Sequence, residues 1–228
     1  MAAHDPLSSI SLFFRLACVL LLFDLGFIAV HIGFALAEPF GVRFPDSANL
    51  NEIRGAASTW NYGKFLFISA WLISLFALTR ERFYVAVSAL TLILFADDFF
   101  EIHDRVGRIL GAMWLPDETE IGRLQDAGEP IVYAALLGIA VALIWIGIAL
   151  SPRLGRRITY LFIGGIALLA MFGAAIDVIH GIIFRLVEGT RFRDQVFLVI
   201  EDGGEIVSVT VILVACLMAT EHHTRGSA

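Results

Sequence analysis

Charge is scarce in this chain. Lys, Arg, Asp and Glu together make up 17% of its 228 residues, against about 25% in an ordinary soluble domain. That shortage excludes a water-soluble globular protein. Basic residues are the scarcer sign: the net charge is −6 and the pI near 5.5. No basic surface for nucleic acid follows from that balance, and no nucleic-acid motif is present. Cysteine is nearly absent. Cys18 and Cys216 both lie inside apolar runs, so neither a Cys-x-x-Cys pair nor a disulfide framework exists. There is no phosphate-binding Gly loop of P-loop type, no Gly-x-Ser-x-Gly and no His-Glu-x-x-His. The first residues, MAAHDPLSS, lack the positive region of a secretory signal, and the apolar run after them is too long for one.

Apolar residues are what the chain has in excess: 58% of it, with a mean hydropathy of +0.82. Runs near twenty residues are the length that a spanning helix requires. Six are read: Ile10–Leu36, Phe65–Thr79, Phe83–His103, Ile131–Leu150, Ile158–Phe184 and Val196–Ala219. The expected fold is all-α, a polytopic integral membrane protein with a six-transmembrane-helix bundle, residues 1–228 forming a single membrane domain. Ser8 or Ser9 is placed to cap the first helix, and SPRLGRR (Ser151–Arg157) breaks the chain between the fourth and fifth. The connections RER and SPRLGRR are short and dense in Arg and lie on the same side as the C-terminal tail, whereas the opposite loops are long and acidic and hold slightly more Lys and Arg by raw count. Positive charge near span ends stays cytoplasmic. Both termini are therefore expected in the cytoplasm, with the chain in the cell inner membrane. Arg105–Leu115 is too short to span. Its Trp114 and spaced arginines suit an interfacial helix.

Ionisable residues break the apolar pattern at a few places: Asp24 and His31, the stretch FADDFFEIHD (Phe95–Asp104), Asp177 and His180, and EDGGE (Glu201–Glu205). At a rise of about 1.5 Å per residue, these groups reach similar depths in four of the six helices. They also share faces: Asp97, Glu101 and Asp104 follow i, i+4, i+7, Asp177 and His180 i, i+3, and Glu201 and Glu205 i, i+4. His103 is the misfit, pointing well round its helix from Glu101. A charge at the centre of a spanning helix costs about 2.5–3.5 kcal/mol, so these groups are expected to face one another in a shared cavity. ADDFFEI (Ala96–Ile102) and IEDGGEI (Ile200–Ile206) repeat one pattern, and Gly203-Gly204 reads as a close helix contact.

Like charges that close cannot all ionise, so something positive belongs among them. Carboxylates and neutral histidines on facing helices are ligands for Zn, Fe or Mn. Asp177-x-x-His180 has the spacing of the acid-x-x-His pair in di-iron bundles, with no second copy. The expected function is a membrane-embedded metal-binding protein, a metal-dependent hydrolase acting on a lipid or amphiphile near the outer leaflet. His31, His180, Glu205, Glu201 and Glu101 are the metal-ligand candidates. Asp97, Glu101 and Asp177 are the catalytic ones, as general base on a metal-bound water or as completing ligands. The alternatives are a small proton- or cation-coupled transporter using the same acids, and an accessory subunit of a membrane complex. Expected partners are membrane lipid and a second copy of the chain, with no nucleic acid. Haem between His31 and His180 is disfavoured, since a porphyrin wants apolar faces.

Overall fold

The computed structural model describes residues 12–37, 40–42, 45, 49–50, 52, 55–186 and 191–226. Ser8 and Ser9, the expected caps of the first helix, lie outside them. Almost every described residue is helical, and no strand occurs among them. The helices are α1 (Leu12–Ala37), α2 (Ala56–Thr79), α3 (Arg82–Phe99), α4 (Ile102–Trp114), α5 (Ile121–Ala149), α6 (Arg156–Ala170), α7 (Asp177–Leu186) and α8 (Arg191–Gly226), with a π-helical segment, Met171–Ile176, joining α6 to α7. Five helical segments are long and apolar enough to cross a membrane, counting α6 through α7 as one; the bent pair α3–α4 makes up to six.

Three boundaries differ from the sequence reading, each for a local reason. Helix α2 starts at Ala56 after Gly55 rather than at Phe65, so Asn61 and Lys64 lie inside it. It ends where Arg80 turns left-handed (φ 61) and its N–H returns to the Phe76 carbonyl. Helix α5 starts at Ile121 rather than Ile131 and continues through Pro130. Proline has no N–H to donate to the fourth carbonyl back, yet the helix holds because α4 packs along that stretch. Glu118 supports its start: the N–H groups of Glu120 and Thr119, with Arg123, hold its carboxyl below the usual range.

The third difference matters most. The run expected as one helix, Phe83–His103, breaks after Phe99, and α4 leaves α3 at 67°. Glu101 adopts φ 51 and ψ 45, a left-handed conformation uncommon for a residue with a Cβ. The turn holds because Asp97 offers its carboxylate to the backbone N–H of His103 at 3.0 Å. A side chain that satisfies a backbone donor competes with helix continuation.

Beyond the turn, α4 runs back along α5 at backbone contact. A Cβ on Gly111 would meet the Leu124 carbonyl, and one on Gly128 would meet the Gly107 carbonyl. Small residues at such spacing let two helices approach this closely. On α4's other side Ile109, Met113 and Trp114 are exposed.

The core lies between α2, α3, α6 and α8. Ile68, Leu72, Phe83, Val87, Leu90, Phe162, Val209, Ile212 and Cys216 are fully enclosed. Helix α2 is thus an inner helix. Helix α5 is the peripheral one, exposing Leu137, Val141 and Trp145.

Candidate metal centre

The sharp turn at Glu101 builds the site. Asp97 uses both carboxylate oxygens on His103: Oδ1 accepts the backbone N–H, and Oδ2 lies 2.9 Å from ring Nδ1. The ring is then aimed with Nε2 outward, 3.2 Å from Asp104 Oδ1. Gln125 on α5 donates to the same oxygen at 2.8 Å. One turn further along α5, Glu129 is buried, 6% exposed. Ligand atoms of His103, Asp104 and Glu129 all lie within 4.8 Å of one another. This is the one His/Cys/Asp/Glu group of that compactness among the described residues, and it is placed to hold a metal ion. Close α4–α5 packing is what brings Glu129 there, since α4 crosses Gly128 at Gly107.

The donor chemistry fits a borderline metal. One imidazole and two carboxylates are a usual set for Zn, Mn or Fe. A metal-binding histidine almost always gives its other ring N–H to a carboxylate, which fixes the tautomer. Asp97 stands where that partner belongs.

These groups open onto a polar cavity of about 240 Å³. Eight acids among the described residues line it: Asp98 and Glu101 at the end of α3, Asp104, Glu129, Asp177, and Glu201, Asp202 and Glu205 on α8. Among the described residues, His103 is its only histidine and no lysine or arginine lines it. Tyr133 donates to Asp177 Oδ2 at 2.7 Å and lies against the His103 ring, centroids 5.4 Å apart. The π-helical segment makes room, because a Cβ on Gly173 would collide with Glu205 Oε1. Widened turns of this kind recur at functional sites.

Of the residues singled out from sequence, Glu101, Asp177, Glu201 and Glu205 line this cavity. Asp97 stands behind His103 as its orienting partner. His180 is off the lining. Its ring stacks on Phe197 at 4.9 Å with Nδ1 3.7 Å from Glu201 Oε2. His31 is buried elsewhere: Nδ1 accepts the Leu50 N–H at 3.2 Å and Nε2 lies 2.9 Å from Gln195 Oε1. The structure does not bring His31 and His180 together with the acids of α3 and α5.

Asp24 also stands apart, in a buried ion pair with Lys64, the chain's only lysine. Lys64 Nζ donates to Asp24 at 3.0 Å, Thr210 Oγ1 at 3.0 Å and the Ile206 carbonyl at 2.6 Å. Trp60 and Thr210 complete Asp24. All three ammonium protons are used, so this group joins α1, α2 and α8.

Sequence reasoning missed Glu129, Asp98 and Asp202 and set His103 aside. A signal for Glu129 existed. Gln125, Glu129 and Tyr133 recur at i, i+4, i+8, one face of a helix running through Pro130. The two echoing segments, ADDFFEI and IEDGGEI, contribute Asp98 with Glu101 and Asp202 with Glu205 to one cavity.

Fold and site together define an all-helical protein of apolar helices enclosing a carboxylate-rich cavity with one histidine-containing ligand group. Residues 12–220 match the family model described as Domain of unknown function (DUF8692). The chain belongs to that family. No curated protein and no solved structure matches it.

Proposed function

We propose that this chain is an integral membrane protein, with six crossings and both termini cytoplasmic, that binds a transition metal through His103, Asp104 and Glu129. The observation that carries the reading is the convergence of those three ligand atoms within 4.8 Å, with His103 held from behind by Asp97. Three protein ligands facing a cavity leave a coordination position for water or substrate, the arrangement of catalytic rather than structural sites. A metal there supplies Lewis acidity and an acidified bound water. The remaining cavity acids, among them Asp177, whose partner Tyr133 lies against the ring, serve as proton acceptors. The reaction class this suits is hydrolysis of a polar bond in a lipid or amphiphile. Exposed Ile109, Met113 and Trp114 on α4 would lie at the membrane surface and place the cavity mouth beside the headgroups.

A proton- or cation-coupled carrier is the second reading, favoured by the number of acids, which exceeds what one metal takes. The packed core weighs against it. From Phe65 to Leu75 on α2 and from Phe83 to Leu90 on α3, buried apolar side chains fill the space between helices, and a carrier needs a path through them.

The experiment is metal analysis of protein purified without chelator. Wild type is expected to hold about one equivalent of transition metal, with His103→Ala and Glu129→Gln losing it and His180→Ala retaining it. Equal content in all four proteins, or none in wild type, overturns the proposal. Metal-dependent cleavage of ester or amide amphiphiles in vesicles then tests the hydrolytic step, and pH-driven uptake without cleavage would favour the carrier.

A further inference from the structure

Helix α2 faces two ways. Ser58, Asn61 and Tyr62 look onto the acid cavity. On its other side α2 borders an apolar groove of about 750 Å³, across which stands α1 with Leu16, Leu20 and Phe27. The polar atoms along the groove are already committed. Trp60 Nε1 donates to Asp24 at 2.8 Å, and Lys64 gives its three protons to Asp24, Thr210 and the Ile206 carbonyl. Gly63 keeps the space open, since a Cβ there would meet nothing within 4 Å. Leu16 and Phe67 are exposed, so the groove opens sideways, to hydrocarbon if α1 and α2 are spans. Its volume is that of a ligand pocket, about 300–1,000 Å³. From Gly55 to Phe67 it runs about 18 Å at the helical rise. A helix about 10 Å across over that length would displace roughly 1,400 Å³, so a partner's helix does not seat in it, whereas a single hydrocarbon chain does.

We infer that the groove between α1 and α2 binds one acyl chain of a membrane amphiphile, with the polar end at the start of α2. The two ends of the groove differ as that orientation requires. Leu16, Leu20 and Phe67 make one end wholly apolar. At the other, Thr59 is the one hydroxyl on the described lining, and Gly55 gives α2 no side-chain cap, so the first N–H groups of the helix have no intrahelical partner and suit the oxygens of a headgroup. That end adjoins the acid cavity. Phe27 and Trp60, on the groove, pack against Leu50 and Ile206, which line the cavity. One layer of side chains therefore separates the chain's slot from the carboxylates. The inference rests on the membrane reading above and names the class of amphiphile that reading needs, one that presents a free acyl chain; it does not require a metal.

The test uses the full chain in maltoside micelles with Trp71→Phe, Trp114→Phe and Trp145→Phe, so that Trp60 alone reports. Dibromostearoyl lysophosphocholine, which quenches a tryptophan it touches, is titrated in. Quenching is expected to saturate at about one lipid per chain and to be reversed by unbrominated stearoyl lysophosphocholine. Gly63→Leu fills the groove and should weaken binding at least roughly tenfold. Gly138→Leu should not, because its Cβ also meets nothing within 4 Å but lies on the exposed face of α5. Absence of quenching overturns the inference. So does quenching that climbs with lipid without saturating, as for lipid that merely surrounds the protein, and so does a Gly63→Leu protein that binds like its parent. His103→Ala should bind the lipid as tightly as its parent. A protein that holds the lipid and no metal loses the metal reading alone, and one that holds metal and no lipid loses this inference alone.

Discussion

Replacing Lys64 by methionine removes the positive half of an ion pair whose negative half, Asp24, is 0% exposed. Methionine approximates the volume, so packing changes little and the electrostatic loss dominates. Asp24 would keep only Trp60 and Thr210 as donors, and the Ile206 carbonyl would lose its side-chain donor. Breaking a buried pair from one side costs about 3–5 kcal/mol, because the remaining charge has no water to return to. At roughly 2–4 °C per kcal/mol for a chain of this size, the melting midpoint should drop by about 6–20 °C. The double variant Asp24→Asn/Lys64→Met removes both charges and should recover a large part of that loss. Thermal unfolding in one detergent, followed by circular dichroism across wild type, both single variants and the double, gives the four values of a cycle. A Lys64→Met midpoint within about 2 °C of wild type would refute the buried-pair account. So would a double variant less stable than Lys64→Met alone.

Asp97→Asn keeps an acceptor for the His103 backbone but weakens the ring's orientation, so metal affinity measured by chelator competition should fall about 10–100-fold; an unchanged affinity would detach Asp97 from the site. Gly128→Ala sets a Cβ against the Gly107 carbonyl, forcing α4 from α5 and separating Asp104 from Glu129. It should cost about 1–3 kcal/mol of stability and bound metal together, and retention of both would mean the helices part freely. Single cysteines at Thr119 and Arg153, in a variant lacking Cys18 and Cys216, should label from the outer and inner sides respectively with an impermeant maleimide. Labelling of both from one side would reject the six-crossing topology.

Hydropathy made the helices legible, because runs near twenty apolar residues leave few other structures that satisfy the backbone. It concealed the ends. Lys64 and Glu129 stand one and two residues before the points where the apolar runs begin, at Phe65 and Ile131. A window that scores transfer from water treats such residues as boundaries, whereas the folded chain continues the helix because neighbours supply their partners: Asp24 for Lys64, Gln125 for Glu129.

Depth and azimuth explain the rest. The rise per residue implied similar heights for several ionisable groups, but height says nothing about which neighbours a face meets. Asp24 and His31 share a face of α1, yet that face meets Lys64 and Gln195 rather than the acids of α3. The acids of α3 and α8 were easier to pair, since each segment supplies several at helical spacing and some must face inward whatever the rotation. His103 was set aside on an angle computed for a straight helix. The 67° bend after Phe99 invalidates that angle, and the bend is itself made by Asp97 binding His103. The contact that orients the ring is also what ends the helix, so a reading that assumed the helix continued could not have found the ligand.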